Sequence, residues 1–337
     1  EDDEYAKEIT DKIRSELKTY PIDMNVEVSC GIYHVHGRDK SINIMCDRAH
    51  IAVNSIKGNY ARHVAVYDDS HREAIIHSQL IVSEMNRAME QRQFHVYLQP
   101  KFNMETEKII GAEALVRWVH PERGILPPGD FIPIFEHNGF IGQLDLYMFE
   151  ETCKVLRRWL DGGRQPVPVS VNLSRVGFYN PKLCEHLYKT AQKYRLPLDL
   201  LELEVTETAY ASDSRTIHSH IRQLRRMGFK ILMDDFGSGY SSLNMLKEAP
   251  VDQIKLDMRF LSEPDPYGRA ETILQMVIAM GKALSIPVLA EGVETKGQVE
   301  MLKSYSCCLA QGYYYARPLT VEKFEEMMDK QTGLSGS

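Results

Sequence analysis

The chain has 337 residues, 43% hydrophobic and 26% charged, an ordinary globular balance with room for one large domain and a smaller piece. A net charge of −7 argues against a general nucleic-acid binder, which would carry a basic patch or stripe. No stretch reaches the ~18 uninterrupted apolar residues of a membrane span.

The nearest such stretch, residues 273–287, is broken by Gln275 and Lys282, and the acidic opening Glu1-Asp2-Asp3-Glu4 is no secretory signal. The expectation is a cytoplasmic segment touching neither DNA nor membrane, any anchor of a parent protein lying in a missing segment. The cysteines at 30, 46, 153, 184, 307 and 308 match no zinc spacing and read as reduced thiols.

In chain order, helical spacing over 5–20 places Ile9, Ile13 and Leu17 on one face. A strand at 26–29 runs into Cys30-Gly31-Ile32-Tyr33, a helix spans about 39–55, and Lys57-Gly58-Asn59 turns into a strand at 63–67. Residues 1–69 thus form a small α+β fragment. An amphipathic helix over about 70–92, with Ile76, Leu80, Met85 and Met89 broadly aligned, reads as a semi-rigid connector.

From Phe94 onward short Val/Ile/Leu-rich strands alternate with helices near 143–161, 181–194, 213–227, 241–248, 269–285, 295–304 and 320–330. Repeated βα units over residues 93–331 predict an α/β fold, a modified (β/α)8 TIM-like barrel, followed by a flexible tail at 332–337. An open doubly wound sheet is the alternative, but no glycine-rich phosphate turn follows the first strand.

Each strand ends in a carboxylate, carboxamide or lysine. Glu113 closes Ile109-Ile110-Gly111-Ala112, Asn172 follows Val169-Ser170-Val171, and Glu204 sits within Leu201–Val205. Asp234 and Asp235 follow Ile231-Leu232-Met233, Lys255 lies in Gln253–Leu256, Glu291 follows Val288-Leu289-Ala290, and Gln311 follows Leu309-Ala310. Parallel strands in one barrel would bring these groups to one mouth.

An oxygen-only donor set without sulfur or histidine suits Mg2+ or Mn2+. Consecutive aspartates point to opposite faces of a strand unless it is ending. At a strand end, Asp234 and Asp235 can both address a metal pair of ~3.5–4 Å spacing. One acid at a strand end is adequately explained as a helix cap. A gathering of five such groups would repel itself without a cation. Glu204/Glu207 and Glu291/Glu294 each place a second acid just into the loop, and Arg117 brings a guanidinium suited to phosphate.

These blocks resemble the EAL domain family. The signature lies in Ala112-Glu-Ala-Leu-Val-Arg-Trp118, and Val171-Asn-Leu-Ser174, Glu204-Val-Thr-Glu207, Asp234-Asp-Phe-Gly-Ser-Gly-Tyr-Ser-Ser242, Lys255-Leu-Asp257, Ala290-Glu-Gly-Val-Glu294 and Gln311-Gly-Tyr313 follow in order. The resemblance implies hydrolysis of cyclic di-GMP to linear pGpG with two Mg2+ or Mn2+ ions, Ca2+ being inhibitory. It implies Glu113, Asn172, Glu204 and Asp234 as ligands of one ion, with Asp234 and Asp235, and Glu291 nearby, at the second. Glu291 and Lys255 would position and deprotonate water, and Glu207 would anchor the Asp235–Ser242 loop. Gln99, Arg117, Glu294 and Gln311 would contact substrate, and a homodimer through the barrel is a family expectation. Ser238 and Met258 depart from the residues usual in the family, threonine and arginine, without touching a ligand.

The leading fragment resembles the C-terminal part of a GGDEF domain in Val28-Ser-Cys-Gly-Ile32, Cys46-Asp-Arg-Ala49 and Lys57-Gly-Asn59, without the nucleotide-binding segment. Cyclase activity is therefore not expected. The rival readings are a catalytically silent cyclic di-GMP receptor signalling through the connector helix and an unrelated two-metal phosphatase on a barrel.

Overall fold

A computed structural model describes residues 2–18, 28–35, 41–57, 63–211, 215–237, 250–258 and 268–332. The expected helix at 241–248, the Ser238–Ser242 loop and the tail from 333 onward lie outside the described residues. The chain divides into two units, Glu1–Met85 and Asn86–Ser337.

The first unit contains α1 (Asp2–Lys18), β1 (Cys30–Ile32), α2 (Ile42–Ser55) and β2 (Val64–Val66). β1 and β2 pair in parallel, Cys30 opposite Val64, with α2 between them in sequence. Ser41 caps α2 by accepting from the Ile44 N–H, satisfying one of the unpaired donors of the first turn. Ala52, Ile56, Ala65 and Tyr67 form the small core. α3 (Asp69–Glu90) runs through the division at Met85.

The second unit begins with a long antiparallel pair, β3 (Phe94–Asn103) and β4 (Lys108–His120), then β5 (Gly124–Leu126), α4 (Pro128–Asn138) and α5 (Ile141–Asp161). It continues through β6 (Val169–Asn172), α6 (Leu183–Lys193), β7 (Leu201–Thr206), α7 (Glu207–Ala211), α8 (Arg215–Met227) and β8 (Lys230–Phe236). The last elements are β9 (Gln253–Asp257), α9 (Ala270–Ala283), β10 (Val288–Glu291), α10 (Lys296–Ser304), β11 (Leu309–Ala310), β12 (Leu319–Thr320) and α11 (Val321–Thr332). Among the described residues no helix is long and apolar enough to cross a membrane.

Eight of the described strands close into a barrel in the order β3, β4, β6, β7, β8, β9, β10, β11. From β4 to β11 the neighbours run parallel, whereas β3 is antiparallel to both β4 and β11. The modified (β/α)8 barrel expected from the sequence is thus the fold observed, and the reversed strand β3 is where it departs from a uniformly parallel barrel. A hairpin of four residues, 104–107, joins β3 to β4, and so short a connection permits only antiparallel neighbours.

Strand alternation explains the interior. Val169, Val171, Leu201, Leu203, Ile254 and Leu256 are buried apolar residues, while the intervening Ser170, Glu204 and Lys255 are equally buried but polar. With a side-chain period of two, one set faces the helices and the other the barrel axis. This barrel therefore has a hydrophobic coat and a charged bore. The helices supply the matching apolar stripes, as in α5, where Leu144, Met148, Leu156 and Trp159 are buried.

Candidate active site

Lys255 stands at the centre of the charged bore. Its Nζ lies 2.8 Å from Glu291 Oε1, 3.1 Å from Asp234 Oδ1 and 3.2 Å from Glu113 Oε2, and it also donates to Glu204 Oε2. These acids come from β10, β8, β4 and β7, so four strands converge on one ammonium that is 1% exposed. Asn172 Nδ2 donates to Glu113 Oε1 at 2.8 Å, and Gln311 Nε2 donates to Glu113 Oε2 at 2.7 Å and Gln99 Oε1 at 3.2 Å. Glu113 is thereby held from three sides.

Glu113, Glu204 and Lys255 lie within their strands rather than at the ends. β4 runs on for seven residues beyond Glu113 because Ala114, Trp118 and His120 continue a buried alternation against β3 and β5. Asp235 has φ 55°, the left-handed region, at a register shift between Met233 and Phe236. That bulge breaks strict alternation, so the two aspartates are not forced onto opposite faces.

A cleft of 460 Å³ opens above the cluster, lined by Gln99, Glu113, Asp234, Lys255, Glu291, Glu294 and Gln311 among the residues singled out in the sequence. Leu115, Asp257, Met258, Gln298, Gly312 and Tyr313 complete much of its wall. Asn172 instead lines an adjoining apolar cavity of 260 Å³ with Ser174 and Thr206. Glu207, 1% exposed, accepts from the Gly237 N–H at 2.8 Å behind the cleft. Arg117 is half-buried outside the lining, donating to the Val116 carbonyl with its guanidinium 5.8 Å from the Tyr97 ring centre. Glu294 is exposed, its N–H held by Gln298 within the capping box of α10.

The electrostatics follow from four acids sharing one ammonium. Burial and the neighbouring carboxylates hold Glu113, Asp234 and Glu291 above their ordinary range, with Lys255 opposing the rise. Glu204 falls to about 2: burial pushes it up, but Lys255 and Lys101 together outweigh that, because each of its oxygens accepts from a different lysine. Lys101 was not among the residues singled out from the sequence. Its one sequence signal was its place two residues beyond Gln99, which on a strand of period two puts both side chains on one face.

Among the described residues no three His, Cys, Asp or Glu side chains stand ready in a ligating arrangement. The donor set nevertheless fits a hard divalent cation. It offers only carboxylate and carboxamide oxygens, and burial together with mutual repulsion raises the carboxyls of Glu113, Asp234 and Glu291, a rise that added positive charge would oppose.

A closed α/β barrel with a reversed first strand and an acid–lysine cluster in its bore, beneath an open cleft, defines the class. The chain belongs to the EAL domain family, whose model matches residues 82–318. It is 32% identical to signaling protein YkoW of Bacillus subtilis over 98% of this chain and 41% of that protein. It is likewise 32% identical to the bifunctional diguanylate cyclase/cyclic di-GMP phosphodiesterase MucR of Pseudomonas aeruginosa, over 94% of this chain and 46% of that one. Among solved structures, the PaMucR phosphodiesterase in its c-di-GMP complex matches with a TM-score of 0.69 and 36% identity, covering 73% of this chain and 99% of the other. The chain spans less than half the length of the two curated relatives. The family is typically metal-dependent.

Proposed function

We propose that the barrel hydrolyses cyclic di-GMP to linear 5′-pGpG with two divalent ions, Mg2+ or Mn2+. The observation that carries this reading is the convergence of Glu113, Glu204, Asp234 and Glu291 on Lys255 beneath an open cleft. It is supported by family membership and by the match to a phosphodiesterase domain in complex with c-di-GMP.

In this reading Glu113, Asn172, Glu204 and Asp234 hold one ion, and Asp234 and Asp235, with Glu291 nearby, hold the other. When bound, such ions polarise a phosphoryl oxygen and acidify a water. Glu291 accepts the water proton, and its burial among other acids makes its carboxylate a strong base. Lys255 fixes Glu291 at 2.8 Å and presents positive charge where charge grows on phosphorus and the leaving oxygen. Gln311 carries a buried Oε1 without a hydrogen-bond partner, an acceptor suited to a substrate donor. Gln99 and Glu294 line the same cleft, and Arg117, beyond its lining, is suited to phosphate. Glu207 fastens the chain after β8 through the Gly237 N–H.

The α+β fragment over 1–69 is read as the end of a GGDEF-like domain, consistent with its parallel β1–α2–β2 order. The 70–92 helix is read as its connector to the barrel, and a homodimer through the barrel rests on family grounds alone.

The test is incubation of the protein with cyclic di-GMP and Mg2+, then with Ca2+, followed by separation of products. Linear pGpG with Mg2+ and none with Ca2+ is the expected result, because the larger, looser calcium shell fixes water poorly. Nucleotide binding without cleavage under both conditions would instead make the protein a receptor.

A further inference from the structure

The geometry points to Lys101 as a positioning residue that clamps Glu204 from beneath and fixes the oxygen this acid presents to a divalent cation. This rests on the reading of Glu204 as a metal ligand. Lys101 lies on the reversed strand β3 and is 2% exposed. The register sets Gln99 opposite Glu113 and Lys101 opposite Gly111, one layer deeper in the bore than the cluster around Lys255.

All three hydrogens of its ammonium have acceptors: Ser170 Oγ at 2.7 Å, Glu204 Oε1 at 3.2 Å and Glu202 Oε2 at 3.3 Å. Ser170, fully buried, in turn donates to the Ala112 carbonyl at 3.3 Å, so its hydroxyl is committed in both directions. The ammonium is thus fixed by β6 and β7 at once and has no second geometry open to it. Glu204 receives Lys101 on Oε1 and Lys255 on Oε2, which sets the plane of its carboxylate. Without the lower clamp that group is free to turn about its last torsion, the softest in the side chain.

Charge and positioning make opposite predictions here. An ammonium beside a cation site repels the cation, so on charge alone replacing Lys101 by a neutral residue tightens metal binding. As a clamp, Lys101 is an outer-shell partner of a ligating carboxylate, and loss of such partners weakens metal affinity about 10–100-fold.

The experiment is calorimetric titration of Mn2+ into the whole chain without nucleotide, comparing wild type, K101M and K101M/E202M. The double variant removes both buried charges and keeps the comparison available where K101M alone, leaving Glu202 without its ammonium, does not fold. A 10–100-fold weaker Mn2+ affinity in the folded variants, with kcat falling more than KM changes, is the expected result. Mn2+ affinity equal to or tighter than wild type overturns the inference. Wild-type protein that hydrolyses cyclic di-GMP beside variants of undiminished Mn2+ affinity refutes the clamp alone. Wild-type protein that takes up no Mn2+ refutes the phosphodiesterase reading and the clamp with it.

Discussion

Lys255 Nζ and Glu291 Oε1 stand 2.8 Å apart, an acid–base pair drawn from adjacent parallel strands. If Glu291 is the proton acceptor, E291Q keeps the shape of the pair and removes the base. Turnover should fall by about 10²–10⁴-fold while nucleotide binding is retained. Stopped-time chromatography for pGpG together with equilibrium binding checks this, and an E291Q protein with wild-type turnover would remove Glu291 from the role.

Lys255 also matters for stability. K255M leaves the buried Glu113 and Glu204, and the half-buried Asp234 and Glu291 beside them, without their shared counter-charge. Breaking a buried ion pair from one side costs about 3–5 kcal/mol. The loss should be largest at pH 8 and smaller at pH 5, where the raised carboxyls of Glu113, Asp234 and Glu291 take up protons instead. Denaturant unfolding of the metal-free protein at the two pH values measures it.

How much of this was legible in the sequence depends on direction and depth. The order of strands and helices was readable because Val/Ile/Leu runs and 3.6-residue stripes report burial directly. The reversal of β3 was not, since a period of two is the same read in either direction, and only the brevity of the 104–107 connection carried the information. Glu113, Glu204 and Lys255 stood out as polar residues in apolar strands, yet their mid-strand placement depended on pairing partners that the local sequence does not name. Lys101 was passed over because a lysine near a hairpin ordinarily reads as exposed. What buries it is an acid pair about 100 residues away. Met258, where the family pattern has arginine, is 2% exposed in the cleft wall, a difference visible in sequence whose location was not.

Gly312 is a position where the site tolerates no side chain. A Cβ there would collide with the Val293 backbone, meeting both its carbonyl oxygen and its nitrogen well inside van der Waals contact. Since backbone cannot swing aside as a side chain can, G312A must separate the Gln311–Tyr313 segment from the Gly292–Glu294 loop. A stability loss of at least ~1–3 kcal/mol is expected, with weaker nucleotide binding. Thermal unfolding and binding of the same preparation test it, and an unaffected Tm would contradict the close approach.

Asp145, buried on α5, accepts from the Ser174 N–H at 2.9 Å and hydroxyl at 2.5 Å, two residues past Asn172. Burial raises its carboxyl from an ordinary 3.8 to about 7, with Ser174 opposing and Glu136 adding slightly. A folded-state value above the unfolded one contributes stability that is complete below pH 4 and lost as pH rises through about 7. The contribution at stake is on the order of a few kcal/mol. D145N, which still accepts from Ser174, should flatten the wild-type decline between pH 4 and 7. Parallel slopes for the two proteins would show that Asp145 is ionised in the fold.

The proposed function depends on one claim, that acids scattered along the chain assemble a site for divalent ions. Anomalous diffraction from crystals soaked in Mn2+ tests it most directly. Two Mn2+ peaks are predicted, bounded by Glu113, Asn172, Glu204, Asp234 and Asp235, with Lys255 displaced from some of its present partners. Well-ordered side chains that still close on Lys255, with no anomalous peak among them at saturating Mn2+, would contradict it.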